Sequence, residues 1–148
     1  MPIFLQITVG WLYGHIFEYI AHKHVLHNRH KFKKVFRNHF KQHHKISRKN
    51  EMIDKNYRNI ISSKFEVISL LTITLIHLPF LIFAPYFYAV VVWSVCVYYI
   101  LHRISHVRTN LGKKIIPWHY AHHMGKNQHL NWGVRLPIID MIMKTSKF

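Results

Sequence analysis

The sequence is poor in acidic residues, cysteine and glycine, and each scarcity excludes a class of protein. Its 148 residues include only five Asp and Glu against 21 Lys and Arg, for a formal charge of +16. The single cysteine, Cys96, excludes a disulfide framework. There are only five glycines and no G-x-G-x-x-G sequence, which excludes the usual nucleotide-binding fingerprint. The length fits one domain, residues 1–148.

Basic residues are missing from two long apolar stretches. Residues 2–21 and 67–101 contain no Lys or Arg, and their only acid is Glu18. A bilayer-spanning helix needs roughly 20 residues. The first stretch predicts one membrane helix, and the second predicts a helical hairpin bent at Pro79 and Pro85. The chain is therefore expected to have about three apolar segments in or across a membrane.

All 21 basic side chains lie outside these stretches, in the connecting segments. The positive-inside rule places those segments on the cytoplasmic face, of the endoplasmic reticulum in a eukaryote or of the inner membrane in a bacterium. A basic chain can also bind nucleic acid. With apolar segments interleaved, anionic lipid head groups are the better partner, and no nucleic acid is expected.

Histidine is the abundant functional residue, with fifteen copies. Imidazole is the commonest side-chain metal ligand. Ten of the fifteen fall into four clusters of two, three, two and three, which is too many for one tetrahedral site. They are enough for two metal ions coordinated by five or six nitrogens, with positions left for oxygen or substrate. The clustered residues are His22, His27, His39, His43, His44, His102, His106, His119, His122 and His123.

In three of the clusters, the spacing predicts which histidines share one face of a helix. Residues four apart share one face of an α-helix, so His102 and His106 are expected to point together. The same rule predicts that His39 and His43 lie together. The third cluster, His119 with His122 and His123, repeats the relation at spacings of three and four.

The remaining cluster departs from helical spacing. His22 and His27 are five apart and are expected to straddle the end of the first helix. Glu18 precedes His22 by one turn. A carboxylate there is expected to accept the second N–H of a ligating imidazole and to fix its tautomer.

These motifs resemble one known family. EYIAHKHVLH, HFKQHH, HRISH, and HYAHH followed by NWGV and IIDMIMKT are similar to the fatty acid hydroxylase superfamily of integral membrane di-iron oxygenases. The resemblance runs from Glu18 to Thr145. It is nearest to the fatty acid 2-hydroxylase branch, in a superfamily that also includes sterol desaturases and carotenoid hydroxylases.

The resemblance implies a fold and a site. It implies an all-α protein whose membrane helices hold a cytosolic cap of short helices, with the ten histidines binding two iron ions. Glu18, Asn131 and Asp140 would orient those ligands from behind. Members usually have four membrane helices, and this sequence begins at the equivalent of the second.

The expected function is hydroxylation of a lipid C–H bond with O2. Zinc could occupy the site but has no redox chemistry. Electrons would come from a separate protein such as a cytochrome b5, a ferredoxin or a reductase. Two alternatives remain open: a lipid desaturase or carotenoid hydroxylase with the same centre, and a membrane metal-binding protein without catalysis.

Overall fold

The computed structural model describes residues 1–148 and contains helices but no strands. Two segments are π-helical, which means that their hydrogen bonds join residues five apart. In chain order the segments are α1 Ile3–Ala21, π1 His22–Leu26, α2 Lys33–Phe36, π2 Arg37–His44, α3 Lys45–Lys49, a 3-10 helix Lys55–Arg58, α4 Lys64–Ile76, α5 Phe80–Phe83, α6 Pro85–Val107, α7 Thr109–Ile115, α8 Pro117–Met124 and α9 Ile138–Ile142.

The longest helices, α1 and α6, pack side by side and run parallel. Tyr86 N donates to Gln6 Oε1 at the start of both helices. Two α-helical turns further on, a Cβ atom on Gly14 would lie 2.8 Å from Ser94 Oγ. The absence of a side chain there lets the two helices approach closely. Because both helices run in the same direction, His22 and His102, near their carboxyl ends, lie at the same end of the helix pair.

The second apolar stretch forms the predicted hairpin. α4 ends at Ile76, and α5 is a single turn. The chain then breaks at Ala84 (φ −151°, ψ 68°), and α6 starts at Pro85. Proline is tolerated at a first helical position because its missing N–H would have no helical partner there. The arms differ in length, at 13 and 23 residues, where the sequence predicted about 17 each.

Only α6 is both long and apolar enough to cross a membrane. α4 has 13 residues, and α1 includes the buried polar residues Gln6, His15 and Glu18. The sequence predicted about three membrane segments, but only one helix has the length and apolarity to cross a membrane. Large apolar side chains are nevertheless exposed along all three helices, including Phe4 on α1 at 79 %. An exposed apolar surface of this extent suits contact with lipid.

The short helices form a cap at the carboxyl ends of α1 and α6. α7 and α8 fold back on α6, and α3 packs against α8. The interior of this cap is unusual because all ten clustered histidines are buried there, among 34 buried residues in the whole chain. A buried polar group needs a hydrogen-bond partner or a ligand. The buried imidazoles of this cap therefore need groups or ions that bind their ring nitrogens.

Candidate metal centre

Nine of the ten clustered histidines form two adjacent groups. Within each group, one ring nitrogen per residue lies within 4.8 Å of the corresponding atoms of the others. One ring from each group stacks on the other, with 4.0 Å between the ring centroids of His44 and His123. Group A consists of His22, His27, His39, His44 and His122, and group B consists of His43, His102, His106 and His123.

His119 lies beside group B. Its Nε2 atom is 3.4 Å from His106 Nε2, and its ring centroid is 5.0 Å from that of His102. Counting His119, the structure brings together all ten predicted ligands, five around each position. Five imidazoles exceed the tetrahedral requirement of a structural zinc site and suit an ion of higher coordination number.

The π-helical segments determine which histidines belong together in the amino-terminal half. In π1, His27 N donates to His22 O, five residues back, and both rings belong to group A. In π2, the same geometry places His39 with His44, whose Nε2 atoms lie 3.2 Å apart. His43 falls on the other face and joins group B. The prediction that His39 and His43 point together is therefore wrong, because it assumed α-helical spacing.

Ordinary α-helical spacing holds in the carboxyl-terminal half. His102 and His106 lie on one face of α6, with ring centroids 4.8 Å apart, and both belong to group B. On α8, His119 and His123 face the same group, with centroids 4.7 Å apart. His122 is on the opposite side and belongs to group A. The cluster on α8 thus contributes to both groups.

Several rings are fixed through Nδ1, which leaves Nε2 for a metal. A carbonyl oxygen can only accept, so a ring nitrogen beside it must donate. His22 Nδ1 donates to Trp132 O at 2.6 Å, and His122 Nδ1 donates to Leu130 O at 2.7 Å. His106 Nδ1 donates to Met52 O at 2.9 Å. Such contacts set the tautomer and orientation of metal-ligating histidines.

The opposing nitrogens fit metal ions. Two nitrogens at right angles on one ion, each about 2.1 Å from it, lie about 3 Å apart. His22 Nε2 and His39 Nε2 are 3.1 Å apart. Several other buried ring nitrogens have no hydrogen-bond partner, which is costly unless a ligand supplies one. These include Nε2 of His27, His43, His102, His122 and His123.

Glu18 supports the site from behind, through the backbone. It is buried, and its carboxylate accepts hydrogen bonds from Val134 N, from Arg135 N at 3.0 Å and from Arg135 Nε at 2.6 Å. It does not contact an imidazole, so the predicted hydrogen bond from a histidine ring is wrong. Glu18 instead holds the loop that contains Trp132 O, the acceptor for His22.

Asp140 and Asn131 hold the same loop. Asp140 accepts hydrogen bonds from Trp132 N at 2.8 Å and from Gly133 N at 2.7 Å. Asn131 has a φ of 58°, in the left-handed region that asparagine tolerates, and its amide bonds the backbone of Lys147. Neither side chain hydrogen-bonds a histidine. Both position the segment whose carbonyl oxygens orient His22 and His122.

Comparison with known proteins agrees with this geometry. The family model described as fatty acid hydroxylase matches residues 7–145. No curated protein and no solved structure matches the chain. The chain belongs to the fatty acid hydroxylase family. Membership implies an oxidoreductase of the hydroxylase type, and members are typically metal-dependent and associated with membranes.

The protein has a cavity of about 320 Å³ beside the two histidine groups. Its walls come from α1, α4, α6 and the cap, and apolar side chains such as Phe17, Leu70 and Val95 line it. His22 and His39 of group A and His43 of group B reach its surface. The cavity can therefore hold an apolar ligand against both groups.

Two acids beside group B were not predicted from the sequence. Asp54 is buried and its Oδ2 accepts from His43 Nδ1 at 2.9 Å. Glu66 Oε1 lies 2.7 Å from His102 Nδ1, though at an angle too bent for a hydrogen bond. Because the chain has only five acidic residues, the position of each one in the sequence could have indicated a role at the site. Asp54 stands in a basic segment, and Glu66 stands at the start of an apolar one.

Acidification is expected to destabilise the metal-free protein. Burial, helped by neighbouring imidazoles, lowers the pKa of His27 to about 2, and burial lowers the pKa of His122 to about 4. The unfolded chain takes up protons at these positions near pH 6.5, and the folded chain does not. Stability therefore falls as pH drops below about 6.5, by about 1.4 kcal/mol per pH unit for each such ring.

Thermal unfolding of the metal-free protein in detergent at pH 7 and pH 5 checks this expectation. The midpoint should fall by several degrees at the lower pH. A His24→Ala, His30→Ala variant serves as the control, because both residues are exposed and their loss should leave the difference intact. An unchanged midpoint would mean that the clustered rings are not buried without metal.

Replacing Asp54 with asparagine is expected to weaken metal binding at group B. The Oδ1 atom of Asp54 accepts from Asn56 N at 3.0 Å, and an amide oxygen can keep that cap on the 3-10 helix. The amide NH2 cannot accept from His43 Nδ1. Loss of such a partner costs about 10- to 100-fold in metal affinity. Titration against a competing chelator measures the effect, and equal affinity in both proteins would show that Asp54 does not tune His43.

Proposed function

We propose that this protein is a membrane-bound oxygenase that hydroxylates a C–H bond of a lipid with O2, two iron ions and electrons from a separate protein. The observation that carries the proposal is the apolar cavity bounded by histidines of both groups. Bound iron supplies the redox chemistry that O2 activation requires and that zinc lacks. Iron is proposed because the C–H bonds of a lipid chain are unactivated, so that breaking one needs a strong oxidant.

The protein's own residues supply rigidity and positioning. Trp132 O, Leu130 O, Met52 O and Asp54 fix four imidazoles through Nδ1, so that each presents Nε2 inward. Rings fixed in this way would hold two metal ions at the wall of the cavity. Holding a reacting group in place in this way contributes a large part of an enzyme's rate.

The cavity walls hold the lipid and exclude water. Phe17, Leu70 and Val95 can bury an acyl, sphingolipid or sterol-like chain so that one carbon lies at the surface formed by His22 and His43. Excluding water from this surface protects reactive species from side reactions. The exposed apolar side chains of α4 and α6 suit contact with lipid, and we propose that substrate enters from the bilayer rather than from water.

The electron donor is proposed to dock on the cap. Basic residues are exposed around π2, where four consecutive turns expose Lys33, Arg37, Lys41 and Lys45. A basic surface steers an acidic partner such as a cytochrome b5 or a ferredoxin. The same charges favour the cytoplasmic face for the cap, by the positive-inside rule.

Transfer of oxygen from O2 to lipid tests the proposal. Purified protein loaded with iron in lipid vesicles, with a reductant and isotopically heavy O2, is expected to give lipid that contains one heavy oxygen atom. Loss of two hydrogen atoms without oxygen incorporation would indicate a desaturase. Unchanged lipid in the presence of bound iron and reductant would favour a metal-binding protein without this activity.

A further inference from the structure

Two buried polar atoms in the cavity wall have no hydrogen-bond partner. Arg135 and Ser94 are 5 % and 6 % exposed, and both line the cavity. Neither Arg135 Nη1 nor Ser94 Oγ has a hydrogen-bond partner in the protein. A buried donor without an acceptor is costly and is retained where it has a use. The metal centre makes no direct use of either atom.

The two groups meet at Gly14. A Cβ atom on Gly14 would lie 2.8 Å from Ser94 Oγ and 3.2 Å from Arg135 Nη2. Because glycine has no side chain, the hydroxyl and the guanidinium can both lie close to the backbone of α1, and all three residues line the cavity. In the space of the cavity next to them, a ligand oxygen could accept from both.

The charge around this space favours an uncharged oxygen. The Glu18 carboxylate already neutralises Arg135 through a 2.6 Å contact to Nε. A second carboxylate would leave an uncompensated negative charge in a largely apolar cavity, which is costly. A hydroxyl or carbonyl oxygen adds no charge and can still accept.

The space is set back from the metal ligands. Gly14 precedes His22 by eight residues on α1, and Ser94 precedes His102 by eight residues on α6. At 1.5 Å per residue, both lie about 12 Å along the helices from the ligands. We propose that Arg135 and Ser94 form a subsite for an uncharged oxygen of the lipid, a hydroxyl or an ester or amide carbonyl. The substrate is then a neutral lipid whose polar oxygen lies far from the oxidised carbon, not a free fatty acid; this last step rests on the proposed function.

Binding of a radiolabelled long-chain alcohol tests the subsite. Hexadecanol and palmitate are bound to the metal-loaded protein in detergent without reductant, so that no turnover occurs. Wild type should bind the alcohol more tightly than the acid. Ser94→Ala should weaken alcohol binding about fivefold, as expected for one hydrogen bond.

Ser69→Ala is the matched control. Ser69 lines the same cavity, but its hydroxyl already donates to Phe65 O at 2.8 Å. Its loss should change alcohol binding by less than about twofold. Equal effects of Ser94→Ala and Ser69→Ala, or tighter binding of palmitate, would overturn the subsite.

The outcome separates this proposal from the proposed function. Ser94-dependent alcohol binding in a protein that never oxidises lipid would leave the subsite standing and refute the oxygenase. Oxygen transfer to lipid, together with alcohol binding that does not depend on Ser94, would support the oxygenase and refute the subsite.

Discussion

Replacing His102 and His106 with alanine is expected to remove the ion at group B and to abolish lipid oxidation. The two residues are buried on one face of α6 and provide two of the four nitrogens that converge there. Elemental analysis should show a fall from about two metal ions per chain, one for each group, to about one. Because changing a residue behind a ligand already costs about 10- to 100-fold, removing two ligands should reduce activity by more than a hundredfold.

The converse variant and a surface control make this result specific. His22→Ala with His122→Ala should instead empty group A. His24→Ala with His30→Ala changes two exposed histidines and should leave the metal content unchanged. Two ions in the His102, His106 variant, with its fold intact, would contradict the assignment of a dinuclear centre.

Replacing Glu18 with alanine is expected to have the largest effect on stability. The change leaves the buried Arg135 guanidinium without its carboxylate and leaves Val134 N and Arg135 N without an acceptor. Removing one partner of a buried ion pair typically costs about 3–5 kcal/mol. The loop that orients His22 should loosen as well, which lowers metal affinity. Thermal unfolding in detergent and chelator titration measure the two effects.

Two further substitutions identify the cause. Glu18→Gln keeps an acceptor oxygen but loses the charge, and it should recover part of the stability. Glu51→Ala removes an exposed acid and should change the unfolding midpoint little. A Glu18→Ala protein as stable as the wild type would show that Arg135 finds another partner.

Sequence spacing identified the histidines that the structure brings together, but not how they divide into groups. The hairpin followed from Pro79 and Pro85, and the His102 and His106 pair followed from helical periodicity. The interval of five between His22 and His27 signalled a departure from the α-helix. The predicted helix end is confirmed, since the helical segment ends at Leu26, between the two residues, but its last turn is π-helical. In π2, the spacing of four between His39 and His43 gave no sign of a π-helix. The structure therefore groups His39 with His44, where the sequence predicted His43.

The supporting contacts could not be predicted because they join distant segments. His22 Nδ1 bonds a carbonyl 110 residues away, and His106 Nδ1 bonds one 54 residues away. Backbone acceptors leave no trace in residue type, so only the fold reveals them. Glu18 illustrates the same limit, since its position one turn before His22 suggested a contact with that ring, whereas its partners are Val134 and Arg135, more than a hundred residues away.

The two π-helical segments connect distant parts of the cap. Segments of this kind are rare and often occur at functional sites. π1 and π2 each continue directly from an α-helix, and each contributes to group A, with His22 and His27 on one side and His39 and His44 on the other. A single ion bound at group A would therefore act as a cross-link between two turns of the chain that share no helix.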